Sequence, residues 1–214
     1  MPTKALQPNR ILEAATPSEP AAPASTGTIV LARHGEPALS RKLTLNARQY
    51  RDWWALYEAG GIAPGQSPPE HLLAAARQAA TIYCSTRLRS IETATAVAPG
   101  RELIRDPIFI EAPLPPPRWP DFIRLSPRLW GTISRLWWWF LGHHEDQESR
   151  VQAEARADEA ARRLDGIARR GEDVLVVAHG FFNTMIGLEL RRLGWRSVKG
   201  RGYKYWSTRY FRRP

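Results

Sequence analysis

The sequence predicts an α/β fold of the doubly wound kind: a mostly parallel sheet with helices on both faces, plus an inserted Trp/Pro-rich helical cap. Two apolar runs, Thr28-Ile29-Val30-Leu31-Ala32 and Val174-Leu175-Val176-Val177-Ala178, have the length and β-branched content of strands buried on both faces. A third run, Ile82-Tyr83-Cys84-Ser85, lies between them, and stretches of helical periodicity separate the three. Each run ends in polar residues: Arg33-His34-Gly35-Glu36, then Thr86 to Ala94 with Arg87 and Arg89, then His179-Gly180. Open α/β sheets place ligands beyond the carboxyl ends of their strands, so two histidines and at least two arginines are expected at one edge.

Along the chain, residues 1–26 hold five prolines among alanines and polar residues and read as a flexible arm, without the apolar core or basic start of a signal peptide. Residues 27–214 read as one domain. After the first strand, a helix runs to about Ala59 with Tyr50, Trp53, Trp54 and Tyr57 at helical spacing, closed by Gly60-Gly61. Pro68-Pro69 opens a second helix, Glu70 to Ala80, and a third spans about Arg89 to Ala98 before Pro99-Gly100. Glu102–Ile104 and Ile108–Ile110 are short strand candidates leading to Glu111.

Residues 112–147 read as the cap insertion, because Pro113, Pro115, Pro116, Pro117 and Pro120 prevent a ladder or a helix interior in its first part. Ser126-Pro127 then starts a helix in which Leu129, Trp130, Ile133, Leu136, Trp137, Phe140 and Leu141 are expected to share a packed face. Trp137, Trp138 and Trp139 cannot all lie on one face, so at least one is expected to be exposed or to touch substrate, with Arg128 and Arg135 beside Trp139. A helix from Glu148 to Arg170 carries Asp158/Arg162 and Glu159/Arg163 at i,i+4 spacing. Asn183 to Leu193 reads as a helix, and Tyr203 to Phe211 as a strand or extended tail.

The 214 residues are 43% hydrophobic and 24% charged, ordinary for a globular protein. The single cysteine, Cys84, excludes an internal disulfide and reads as a buried structural thiol. No apolar run reaches the roughly 18 residues of a membrane span, so a cytoplasmic location is expected. The net charge of +10 is concentrated in residues 191–214, which hold nine cations and no acid. Such an end attracts polyanions in general or is simply solvated.

The three polar strand ends resemble the signatures of the histidine phosphatase superfamily, the phosphoglycerate-mutase-like enzymes. Arg33-His34-Gly35-Glu36 is similar to its first tetrad, Ser85 to Ala94 to its Ser-x-x-x-Arg-x-x-x-Thr-Ala segment with Arg89 at the arginine, and Ala178-His179-Gly180 to its second histidine motif. The likeness spans roughly residues 28–193. Where many members carry Thr or Ser after the Glu, this chain has Pro37.

The resemblance implies a metal-independent phosphomonoesterase that works through a phosphohistidine on His34, with no cofactor and no metal. The transferring phosphoryl group needs fixed positive donors, which Arg33, Arg89 and a protonated His179 would supply. His34 must be neutral, with its other ring nitrogen donating to a fixed acceptor, most simply a carbonyl in the turn at Gly35. In the family a carboxylic acid protonates the leaving group. Glu111 is the first choice and Glu36 the competitor; if not the acid, Glu36 is expected with Asn183 and Arg87 to orient the residues that touch the phosphate. His143-His144-Glu145-Asp146 reads as a polar loop rather than a metal site.

Two alternatives stay open: a phosphoglycerate-mutase-like phosphotransferase, and a catalytically silent binding relative localised to a membrane surface or nucleic acid. The expected partner is a phosphorylated small molecule, amphiphilic if the tryptophans and basic end serve binding, with weak attachment to anionic membrane surfaces; nucleic acid is not expected.

Overall fold

The computed structural model describes residues 25–200 and 203–214; of the expected N-terminal arm, only Ser25 and Thr26 are among them, and Arg201 of the basic end is not. Six strands form one sheet in the order β3-β2-β4-β1-β6-β5: β1 (Ile29–Arg33), β2 (Thr81–Cys84), β3 (Ile104–Arg105), β4 (Val174–Ala178), β5 (Arg196–Lys199) and β6 (Thr208–Arg212). β1, β4, β2 and β3 are parallel, whereas β6 runs antiparallel to β1 and β5 antiparallel to β6. The alternation of strand side chains divides the core in two. Ile29, Leu31, Val174 and Val176 face one side, and Val30, Ala32, Leu175 and Val177 the other.

Helices cover both faces. α2 (Glu70–Gln78) and α3 (Leu88–Val97) pack on the second side through Leu72, Ala75, Ala94 and Val97. α5 (Arg150–Ala168) and α6 (Gly180–Arg192) pack on the first, where the small residues Ala153, Ala157, Ala160 and Ala161 let α5 lie close to α6 and the sheet. Ser149 starts α5 with a capping box completed by Gln152, which satisfies two of the otherwise unpaired N–H groups. The expected ion pairs Asp158/Arg162 and Glu159/Arg163 are both formed.

α1 (Ala47–Ala59) and α4 (Pro127–Leu141) build a third, aromatic core from Tyr50, Trp53, Tyr57 and Trp130 over the carboxyl ends of the strands. Tyr50 stacks between Trp53 and Trp130, at centroid distances of 5.8 and 5.9 Å. Asn46 caps α1 in a box with Gln49, and Ser126 caps α4 with Pro127 in its first turn. Gly142 ends α4 at φ 66°, a conformation that favours glycine.

Three expectations are corrected. In α4 the buried residues are Pro127, Trp130, Ser134 and Trp138, while Leu129, Leu136, Phe140 and Leu141 are 46–72% exposed. The helix is turned away from its aliphatic stripe because two indoles anchor it: Trp130 donates to Leu45 O at 2.6 Å and Trp138 to Glu148 O at 2.9 Å. None of the three consecutive tryptophans is exposed or lines the main cavity; Trp139 lies half-buried between Arg150 and the ring of Phe181. Ile108–Ile110 is no strand, since Pro107 and the Asp106 side chain, which accepts from Ile108 N, wind Pro107–Phe109 into a 3₁₀ turn. Of the two options for Tyr203 to Phe211, the strand is present as β6 and pairs with β5 in a hairpin, and Arg209, Arg212 and Arg213 hydrogen-bond to Thr184, Thr28 and Leu193.

Cys84 is buried, which pushes its thiol up to about 11. No helix among the described residues is long and apolar enough to cross a membrane.

Candidate active site

The strand register decides what meets at the carboxyl edge. Arg33 of β1 lies opposite Ala178 of β4, and Cys84 of β2 opposite Val177, so the next residues, His34, His179 and Ser85, emerge side by side. Backbone bonds hold that edge: His34 N donates to Ala178 O at 3.0 Å and Ser85 N to Val177 O at 3.1 Å. Above them opens a cavity of about 1020 Å³. Its floor includes Arg33, His34, Arg89 and His179, and its walls come from α1, α4, the segment after Glu111 and residues 203–205.

Within this floor His34 is 2% exposed and its Nδ1 lies 2.7 Å from Gly35 O. A carbonyl only accepts, so Nδ1 carries the proton and Nε2 keeps its lone pair. Burial holds the imidazole well below its ordinary value, and the guanidinium charges of Arg89, Arg33 and Arg41 lower it further. His34 is therefore neutral at pH 7. Gly35 is required here, because a Cβ would lie 2.5 Å from the Trp206 ring; its N–H donates to Thr93 Oγ1 at 2.9 Å.

His179 occupies the N-cap of α6, with its ring centroid 5.1 Å from that of His34. Arg89 Nη2 approaches its Nδ1 at 3.4 Å, so Nδ1 accepts and Nε2–H donates to Ser85 Oγ at 2.8 Å. Burial first, then Arg89 and His34, hold His179 well below its ordinary value. With no phosphate bound, the protein alone keeps this ring neutral.

Arg89 is 1% exposed and tightly held, donating to Tyr57 O at 2.9 Å and pairing with Glu58 at 2.5 Å. Glu58 also pairs with Arg87 Nε at 2.8 Å, which draws Arg87 away from the cavity and into a neighbouring cleft. Arg33 donates to Tyr203 O and lies 4.3 Å from the Tyr205 ring centre, while its Nε is buried with no hydrogen-bond partner among the described residues.

Glu111 lines the cavity and accepts from Phe181 N at 3.3 Å and Phe182 N at 2.9 Å, in the first turn of α6. Glu36 is exposed and absent from the cavity wall; its backbone N–H donates to Gln66 Oε1. Asn183 lies beneath the site, donating to Ala32 O at 2.9 Å.

Sequence reasoning missed Glu58, Arg41, Tyr203, Tyr205 and the hydroxyl of Ser85 as members of this neighbourhood. Only Ser85 carried a local signal, as the residue directly after β2. Arg128 and Arg135 were legible as sharing one helix face, but not as lining the cavity. Among the described residues no three His, Cys, Asp or Glu side chains stand together as a metal site. In the His143–Asp146 loop, Glu145 pairs with Arg51 at 3.0 Å and Arg118 at 3.3 Å, and His143 donates to Pro116 O.

The family model of the histidine phosphatase superfamily (branch 1) matches residues 29–207. This chain belongs to the histidine phosphatase superfamily. No curated protein sequence matches it. Solved structures do match, among them a mycobacterial glucosyl-3-phosphoglycerate phosphatase complexed with VO3, at 20% identity, covering 78% of this chain and 83% of that one, with a TM-score of 0.50. A phosphoserine phosphatase mutant of Entamoeba histolytica, complexed with phosphoserine, is 17% identical over 78% of this chain and 80% of that one, with a TM-score of 0.47. Bacillus stearothermophilus YhfR is 22% identical over 78% and 80%, also at 0.47. At these identities the likeness is one of fold. In this histidine phosphatase the two histidines follow the parallel strands β1 and β4, Arg89 stands in the first turn of α3 after β2, and the cap helix α4 closes over them.

Proposed function

We propose that the chain is a metal-independent phosphomonoesterase that acts through a phosphohistidine on His34. One observation carries this: a neutral imidazole, fixed by its Nδ1–H bond to Gly35 O, stands at the floor of a cavity between Arg33 and Arg89. Nε2 attacks phosphorus in line, the P–O ester bond breaks, and the leaving oxygen takes a proton from Glu111. Water then attacks the phosphohistidine, gives its proton back to Glu111 and releases phosphate. Arg33 and Arg89 meet the charge on the equatorial oxygens. A phosphate dianion against His179 opposes the effect of burial, so this ring takes up a proton as substrate binds and becomes a further donor.

The test is rapid quenching during turnover of a labelled monoester. Acid-labile, base-stable phosphate is expected on His34 alone, and His34→Ala is expected to abolish turnover; label on another residue, or full activity in the variant, refutes the reading. A mutase would retain the phosphoryl group, so stoichiometric release of inorganic phosphate from an aryl phosphate separates the two.

A second reading, of amphiphilic substrates drawn from an anionic membrane surface, is favoured by the exposed side of α4. Leu129, Leu136 and Phe140 form an outward stripe, and Leu136 also lines the cavity mouth beside Arg128. Co-sedimentation with anionic vesicles at low salt, reduced in Phe140→Ser, is the expected result. Absence of binding removes this reading without touching the first.

A further inference from the structure

The cavity carries more positive charge than a phosphoryl group uses. Arg33, Arg41, Arg89, Arg128, Arg135 and Lys204 line it against a single carboxylate, Glu111. Arg89 is already paired with Glu58, yet a dianionic phosphoryl group, with Glu111 either ionised or carrying the proton it donates, still leaves cations without a counter-charge. The surplus lies on the cap side. Arg128 and Arg135 are seven residues apart on α4, so both project from the same face of the helix toward the cavity.

Arg135 is the most unusual of these groups. Its guanidinium lies over the Phe181 ring, with the central carbon 3.6 Å from the ring centre. Its Nη1 is buried with no hydrogen-bond partner among the described residues. Arg41 repeats the pattern: one end of its fork donates to the Tyr205 hydroxyl at 2.8 Å, and its Nε is buried with no hydrogen-bond partner among the described residues. A buried donor left unpaired costs about 1–3 kcal/mol, so two such guanidinium groups in one wall are a standing destabilisation that an oxyanion would remove. Burial also lowers the Arg135 pKa, with Glu111 opposing the shift, as expected of a cation held in a dry wall.

The cations form two groups, Arg33, Arg89 and Arg41 acting on His34 and Arg128 with Arg135 on α4; Arg41, which like Arg135 also acts on Tyr50, reaches from the first group toward the second. Between them the wall is aromatic, with Tyr50, Trp54, Tyr57 and Phe181, and the cavity is several times larger than one phosphate needs.

We propose that Arg135, on its Phe181 platform and assisted by Arg41 and Arg128, forms a second oxyanion subsite, and that the substrate is an organic phosphate bearing a further carboxylate or phosphoryl group across an apolar or planar body. This rests on the phosphomonoesterase reading of the His34 floor. The guanidinium fork fits either planar carboxylate or phosphate geometry, so the shared oxyanion chemistry is what the subsite selects.

The experiment compares 3- and 4-carboxyphenyl phosphate with the neutral 3- and 4-carbamoylphenyl phosphates, with 1,4-phenylene bisphosphate as the phosphoryl arm. The wild-type enzyme is expected to favour at least one charged member over its neutral counterpart by about tenfold or more in kcat/KM. In Arg135→Gln that ratio is expected to fall to about one, and Arg135→Lys is expected to restore part of it. Which arm gains, carboxylate or bisphosphate, names the oxyanion. Titration calorimetry on the His34→Ala protein reads the same ratios as binding, without turnover.

If the wild type hydrolyses the series with no preference for a second charge, the subsite is overturned and the phosphatase reading stands. If nothing is hydrolysed but the Arg135-dependent binding preference is present, the phosphatase reading fails and the subsite stands. A preference that survives unchanged in Arg135→Gln assigns it to other residues and overturns the role of Arg135. Should Arg135→Gln lose its circular dichroism signature, Arg135→Lys and Arg41→Gln carry the test, each expected to lower the ratio; an unchanged ratio in both overturns the proposal.

Discussion

Two oxygens of one carboxylate, Glu58, hold Arg87 and Arg89 at 2.8 and 2.5 Å, so the pose of the buried guanidinium depends on a residue at the far end of α1. Arg89→Ala is expected to lower kcat/KM for p-nitrophenyl phosphate by about 10²–10³, the usual scale for losing a donor to developing charge, while Arg87→Ala is expected to be milder. Glu58→Gln is expected to fall between them, since Arg89 keeps its charge and its bond to Tyr57 O but loses its anchor. Comparable large losses for Arg87 and Arg89 would mean that both reach the phosphoryl group. For Glu111→Gln, a large loss on alkyl phosphates and a small one on p-nitrophenyl phosphate is expected, because a good leaving group needs little protonation. Equal losses on both substrates would take the acid role from Glu111. His34 and His179 were legible in the sequence because each directly follows a strand, and Arg89 because it stands in the first turn of the helix after β2, so all three are placed by local chain direction. Glu58, Arg41 and Arg135 were not, because their side chains reach the site only through the docking of α1, α4 and the segment after β1 onto the sheet.

At the level of elements, the strands and helices that carry strong periodicity came out close to their expected limits, and α4 shows why one face did not. Its aliphatic and aromatic residues occur all round the helix, so spacing alone could not choose between the Leu129–Leu136–Phe140 side and the Trp130–Trp138 side. Indole size and the two indole N–H bonds decided it. Trp130 is fully buried and Phe140 is 72% exposed, which makes a direct contrast. Trp130→Ala is expected to destabilise the protein by about 3–5 kcal/mol, whereas Phe140→Ser is expected to stay within about 0.5 kcal/mol. Urea denaturation of the two variants measures both; reversed magnitudes would mean that the helix packs through its other face. β5 escaped notice because all four of its residues are exposed, so it carries no apolar pattern, only pairing to β6.

For the molecule as a whole, the two buried histidines tie stability to pH. Both are held well below 6.5 when folded, and both return to about 6.5 when unfolded. Below about pH 6.5 the unfolded chain therefore binds more protons, so their contribution is complete above that pH and is lost as the pH falls from there toward the folded values. The urea midpoint is expected to drop between about pH 7.5 and pH 5.5, and to drop less in the double variant His34→Asn/His179→Asn; equal slopes would place the proton uptake on other groups. The order of the sheet bears on how the chain reaches this state. β1 lies between β4 and β6, so the first strand to be made has both neighbours among the last, and Thr28 waits for Asp173, 145 residues later. Contacts of such long range close slowly and leave an apolar strand unpaired during synthesis. Arg33 and His34, made early, are thus among the last residues to be locked in place, and a nascent chain stalled before Thr208–Arg212 would carry His34 at the end of a strand with one edge still open to other chains.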